Sequence, residues 1–146
     1  EQAVFGQLSV RENLLVGGIT AKDDSGIDEV VEMFPKLGER MAQHAGTLSG
    51  GERKMLAIGR AILSNPKLLL LDEPTEGIQP NIIQQIGEIL RELVEERGMT
   101  VVLVEQYIDF VKEFGHNFYV MNRGRVVAGG ETSELSDDII SKHLSV

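Results

Sequence analysis

Apolar residues in the first 65 positions recur at helical spacing, in short pieces. Ser9 precedes Val10, Asn13, Leu14 and Leu15, a pattern that predicts a short helix capped by Ser9 and ending at Gly17-Gly18. Residues 20–26, with Asp23, Asp24 and Ser25, read as a loop. Ile27, Val30, Val31 and Phe34 share one face of a helix predicted over 27–34, and Pro35 stops it. Residues 36–41 support another helical turn, and 43–47 lead into position 48. The stretch from Met55 to Leu63 is apolar almost all round, as in a buried helix. Residues 1–8 show no period, and no strand signal occurs before residue 67.

The pattern then changes. Four consecutive leucines, Leu68 to Leu71, follow the turn pair Asn65-Pro66 and predict a strand over 67–71 buried on both faces of a parallel sheet. Residues 74–79 form a loop, and Pro80 suits the first position of a helix. Ile82, Ile86, Ile89 and Leu93 give that helix one apolar face, helped by Ile83, Leu90 and Val94. Glu88, Arg91, Glu92, Glu95 and Glu96 face water, and Gly98 closes it. Residues 100–104 are a second buried strand, so strand, helix and strand predict a right-handed βαβ unit with parallel strands. A helix over 106–114 turns Tyr107, Phe110, Val111 and Phe114 inward. Segments 118–121 and 125–128 form a hairpin across Asn122-Arg123-Gly124, and the tail from 132 to 146 is helical.

Composition narrows this α/β reading. A length of 146 residues suits one domain, and 42% hydrophobic with 25% charged residues is ordinary for a soluble globular protein. A formal charge of −9 argues against a nucleic-acid surface, which needs a basic patch. The absence of cysteine excludes disulfides and thiolate metal sites. No apolar run approaches the roughly 20 residues that span a bilayer, and the expected location is the cytoplasm. The chain begins at Glu1 without methionine, which reads as an excised piece.

Two stretches carry candidate chemistry. In Leu48-Ser49-Gly50-Gly51-Glu52, Ser49 is a good N-cap and Glu52 completes a capping box. Gly50 and Gly51 strip side chains from the helix start, where free amides and the helix dipole favour an anion. The alternative is an ordinary capped core helix. The second stretch ends the leucine run in Asp72-Glu73-Pro74. Carboxylates at the tip of such a strand lie where open α/β sheets hold ligands. Asp72 is placed to reach Mg²⁺, directly or through water, and Glu73 to orient or deprotonate a water. The alternative is two solvated acids.

Together these residues resemble the ATP-binding subunits of ABC transporters. Residues 48–52 match the family's signature, and Leu68 to Glu73 match Walker B with its catalytic glutamate. The resemblance implies a partial P-loop NTPase fold. Residues 1–65 would be the helical subdomain, which contacts a membrane-spanning partner. Residues 66–146 would be the C-terminal part of the RecA-like core. It further implies ATP and Mg²⁺ as ligands, and residues Leu48, Ser49, Gly50, Gly51 and Glu52 acting in trans on nucleotide held by a second ATPase subunit. Gly77, Ile78 and Gln79 fall in the D-loop, where Gln79 replaces the usual aspartate. Gln106 stands where most members carry a switch histidine, as a second catalytic residue; a mere helix cap is the other reading. Permease subunits, a substrate-binding protein and a peripheral place on the inner face of the membrane complete the implied assembly.

Glu105-Gln106 is similar to the branched-chain amino acid and amide importers. Residues 72–80 with 105–110 look most like the urea-importer subunit. No G-x-x-x-x-G-K-[S/T] phosphate loop occurs, and Gln2 and Gln7 are poor substitutes for the family's Q-loop glutamine. The expectation is therefore a C-terminal portion that neither hydrolyses ATP nor binds it tightly alone. Loss of the strand that bears that loop would expose sheet edges and invite a homodimer, a strand swap or a non-native sheet. Competing readings are a non-catalytic module that docks on a membrane subunit, and a soluble non-transport member of the family. His44 and His116 lack metal-like spacing, and Arg123 and Arg125 read as turn charges.

Overall fold

A computed structural model describes residues 4–19 and 25–143, in two compact units, Glu1–Val104 and Glu105–Val146. Of the expected loop over 20–26, residues 20–24 lie outside the described residues, as do 1–3 with Gln2 and the end of the tail at 144–146, while 25 and 26 belong to a helix.

In the first unit, helix α1 (Val10–Gly17) starts from Ser9. The Ser9 hydroxyl accepts from the Glu12 N–H at 3.2 Å, and the Glu12 carboxylate accepts the Ser9 N–H at 2.7 Å. The sequence reading found the cap but not this reciprocal partner. Helix α2 (Ser25–Met33) begins earlier than the spacing predicts, with Asp28 in a first turn that favours an acid. Pro35 opens α3 (Pro35–Gly38), and Leu37 is buried beneath it. Helix α4 (Gly50–Leu63) buries Met55, Leu56, Ile58, Gly59 and Ile62. It runs close to its neighbours because it meets them through glycine. A Cβ on Gly17 would lie 2.7 Å from the Arg60 carbonyl oxygen, and one on Gly59 would lie 2.6 Å from Val30. Val10, Leu14, Phe34, Leu37, Met55 and Leu56 fill the core between these helices.

Strand β1 (Leu68–Asp72) pairs in parallel with β2 (Thr100–Val104), Leu70 opposite Val102 and Asp72 opposite Val104. Between them runs α5 (Pro80–Glu95), which buries Ile86, Ile89, Leu90 and Leu93 as its period predicts. The expectation of burial on both faces fails. Side chains alternate across a strand. Leu69 is buried on the face that α5 serves, while Leu70 is 67% and Val104 57% exposed on the other. A run of leucines fixes the residue type on both faces without supplying a cover for each. Gln85 Nε2 donates to the Met33 carbonyl at 3.1 Å, and Arg97 pairs with Glu29 at 2.7 Å, so α5 and its exit are tied to α2.

In the second unit, α6 (Ile108–Phe114) begins two residues later than the reading from Gln106. The Glu105 carboxylate accepts the Gln106 and Tyr107 N–H groups at 3.1 and 3.3 Å and holds both outside the helix. Tyr107 is therefore 45% exposed rather than inward, whereas Phe110 is buried and packs at a tilt of 46° against Phe114. Strands β3 (Asn117–Asn122) and β4 (Arg125–Glu131) form the expected hairpin. Its loop is shorter than the three residues first assigned. Asn122 stays paired with Arg125, and only Arg123 and Gly124, both at positive φ, make the turn, as a type I′ connection requires. Phe118, Val120 and Leu135 form this unit's core, and α7 (Asp137–His143) packs Ile139 and Ile140 against it.

Candidate functional site

Local chemistry builds the helix start at residue 49. The Ser49 hydroxyl accepts the Glu52 N–H at 3.2 Å, and the Glu52 carboxylate accepts the Ser49 N–H at 2.9 Å. Arg40 brings its Nε to 2.6 Å from the other Glu52 oxygen. Burial pushes the Glu52 carboxyl upward. The Ser49 hydrogen bonds and the Arg40 guanidinium outweigh that, and hold it below the usual carboxylate range. Glu52 is thus spent on structure, and the ligand-facing groups are the first amides. Helix geometry gives the Gly50 and Gly51 amides no intrahelical acceptor.

The two glycines differ in their surroundings. A Cβ on Gly51 would meet Ile78 and Ile82 at ordinary contact distance, 3.5 and 3.6 Å. A Cβ on Gly50 would meet nothing within 4 Å. Packing within this chain gives Gly50 no reason to be glycine, the residue that loses the most conformational freedom on folding. Close approach of a group from outside the chain does give a reason.

Ser49, Gly50, Gly51, Glu52 and Met55 line a cleft of about 300 Å³ together with Gly77, Ile78 and Gln79. Lys36, Asn81 and Ile82 complete it. The structure therefore brings the two stretches 49–52 and 77–79 into one cavity. Leu48 is buried beneath the helix start and anchors it.

Asp72 and Glu73 stand at the C-terminal end of β1. Asp72 is exposed, and Glu73 is half-buried with φ at +45°, a conformation rare for a residue with a side chain. The Glu73 N–H donates to the Val104 carbonyl at 2.9 Å. Its own carbonyl accepts from Lys54 Nζ at 2.5 Å, and the Glu76 carbonyl accepts from the same ammonium at 2.7 Å. Sequence reasoning missed Lys54, which looks like a solvated helix charge.

Among the described residues no group of three or more His, Asp or Glu side chains could hold a metal ion. One exposed carboxylate still fits Mg²⁺, which keeps several waters and takes one or two carboxylates beside substrate phosphates. Gln106 lies in the second unit, exposed, ahead of α6. The N-cap of α6 is Tyr107, so the reading of Gln106 as that helix's cap falls. His44 uses its Nδ1 on the Gln7 carbonyl at 2.7 Å, and His116, Arg123 and Arg125 are exposed.

Comparison with known proteins bears on this arrangement. The family model described as ABC transporter matches residues 1–76. The chain is similar to a high-affinity branched-chain amino acid transport ATP-binding protein, BraG of Pseudomonas aeruginosa. The two are 54% identical over 127 residues, covering 85% of this chain and 54% of that protein. A probable branched-chain amino acid transport ATP-binding protein, LivF of Archaeoglobus fulgidus, is 37% identical over 135 residues, covering 90% of this chain and 57% of the other. The chain thus spans about half the length of the curated relatives it matches. Among solved structures it resembles the ADP conformation of MJ1267, an ATP-binding cassette of an ABC transporter. The TM-score is 0.76 at 29% identity, over 95% of this chain and 63% of that one. It also resembles a dimeric post-hydrolysis cassette, MJ0796, bound to ADP and Pi. There the TM-score is 0.79 at 27% identity, over 90% and 60% of the two chains. No described helix is long and apolar enough to cross a membrane.

Proposed function

The chain belongs to the ABC transporter family, and from that premise we propose that it is part of the ATP-hydrolysing subunit of an importer for branched-chain amino acids or small amides. The observation that carries the reading is the bare helix start at Gly50, which packing does not explain. In this reading Ser49 and the Gly50 and Gly51 amides receive the terminal phosphate of ATP held by a second ATPase subunit. Gly77, Ile78 and Gln79 face that subunit across the same cleft. Asp72 holds Mg²⁺, directly or through water. The ion, when bound, neutralises charge developing on the phosphates. Glu73 orients the attacking water and takes its proton, and Gln106 serves as a second catalytic residue that hydrogen-bonds without carrying charge. The family's phosphate loop is absent from these 146 residues, so the chain offers the half of the site that acts in trans and binds ATP weakly alone.

Residues 1–65 act as the helical subdomain that docks on a permease, at the inner face of the membrane, and a substrate-binding protein serves the assembled importer. The names of the relatives support branched-chain amino acids. Residues 72–80 and 105–110 support urea as the narrower solute. The test is uptake by cells that lack the full-length gene. The wild-type gene restores uptake, and Glu73→Gln does not. Restored urea uptake supports the narrower assignment. Restored leucine uptake alone overturns it and keeps the wider class, and no effect on either solute overturns the importer reading.

A further inference from the structure

Glu73 keeps a left-handed backbone conformation, φ +45°, that is strained for a residue with a side chain and persists only where its surroundings fix it. Two groups do so here. β2 holds the Glu73 N–H through the Val104 carbonyl at 2.9 Å, and α4 holds the Glu73 carbonyl through Lys54 Nζ at 2.5 Å. The same ammonium donates a second hydrogen bond to the Glu76 carbonyl at 2.7 Å, while the Glu76 N–H donates to the Glu73 carbonyl at 3.3 Å. The turn from 73 to 76 is therefore pinned at both ends to one point on α4.

We propose that Lys54 is a positioning residue that sets the direction of the Glu73 carboxylate and links it to the helix start at Gly50. Lys54 lies four residues, about one helical turn, beyond Gly50. A shift of the first turn of α4, where the partner's nucleotide is received, is transmitted to the peptide of Glu73 through a charge-assisted hydrogen bond. Three donors on one ammonium suit two carbonyls at once, whereas an isosteric apolar side chain offers none. This inference rests on the reading of Glu73 as the residue that activates water.

Two measurements separate the clamp from that reading. The first is hydrogen exchange on the 146-residue chain. Lys54→Met is expected to speed exchange at Glu73 and Glu76 by about tenfold while the amides of 56–63 are unchanged, since local opening is governed by the bonds lost there. Unchanged exchange at 73–76 overturns the clamp whatever the protein does with ATP. The second is steady-state hydrolysis by the full-length protein. Lys54→Met is expected to lower kcat by about tenfold or more with KM for ATP within about twofold, the pattern of a group that acts only in the transition state. Lys54→Arg, which keeps the donors, restores most of the loss. A Lys54→Met enzyme with wild-type kcat, or one whose loss Lys54→Arg does not relieve, overturns the positioning role. Wild-type protein without Mg²⁺-ATP hydrolysis refutes the role assigned to Glu73 instead, and the exchange result still decides the clamp.

Discussion

Replacing Gly50 with alanine separates what this residue does for the fold from what it does for a ligand. Gly50 is the first residue of α4, is exposed, and a Cβ there meets nothing within 4 Å. Its φ is not among the positive ones, so alanine fits without backbone strain. Alanine at a compatible position stabilises by about 0.4–1 kcal/mol, chiefly by restricting the unfolded chain. Gly50→Ala is therefore expected to raise the urea midpoint of the 146-residue chain slightly at constant m-value. On the proposed reading, the same methyl in the full-length protein would lie in the path of the phosphate. Loss of one oxyanion donor costs on the order of 100- to 1000-fold in kcat, and displacement of the phosphate from the Gly50 and Gly51 amides should cost a comparable factor. A substitution that stabilises the chain and silences the enzyme has one explanation, a binding surface kept bare. Hydrolysis within about twofold of wild type would refute it, as would destabilisation of the chain.

Other expectations follow from the same contacts. Asn13 is fully buried and ties down the segment before α1. Its Oδ1 accepts the Phe5 N–H at 2.9 Å, and its Nδ2 donates to the Phe5 and Ser9 carbonyls at 3.0 and 2.9 Å. Asn13→Ala should cost about 3 kcal/mol by urea unfolding, given about 1 kcal/mol for each bond left unmade. Because the Glu52 carboxyl is held low in the folded state, its contribution is present above the unfolded value of about 4.3 and is lost as pH falls through the folded one. Glu52→Gln should therefore destabilise by about 1 kcal/mol at neutral pH, with the difference from wild type shrinking in acid.

What the sequence made legible was local. The capping box from Ser49 to Glu52 spans four residues, and the face of α5 repeats often enough to be read without its neighbours. The pairing of β1 with β2 followed from the length of the helix between them. What stayed hidden depends on distant groups. Lys54 meets carbonyls 19 and 22 residues away, and only the turn at positive φ brings them within reach. Asn13 counts in the sequence with the inward face of α1, and nothing local reveals that its amide closes the loop before it. The bare face of Leu70 and Val104 was misread because residue type says what can be buried, not what covers it. The late start of α6 turned on a single carboxylate, Glu105, whose capture of two amides competes with the helix.

The central claim is that the helix start at Ser49, Gly50 and Gly51 is half of a nucleotide site, completed by a phosphate loop on another subunit. Calorimetric titration of Mg²⁺-ATP into the 146-residue chain tests it most directly. The account predicts no saturable binding below the millimolar range. Saturable one-to-one binding at micromolar Mg²⁺-ATP would contradict it, and would mean that this chain holds a complete phosphate site of its own.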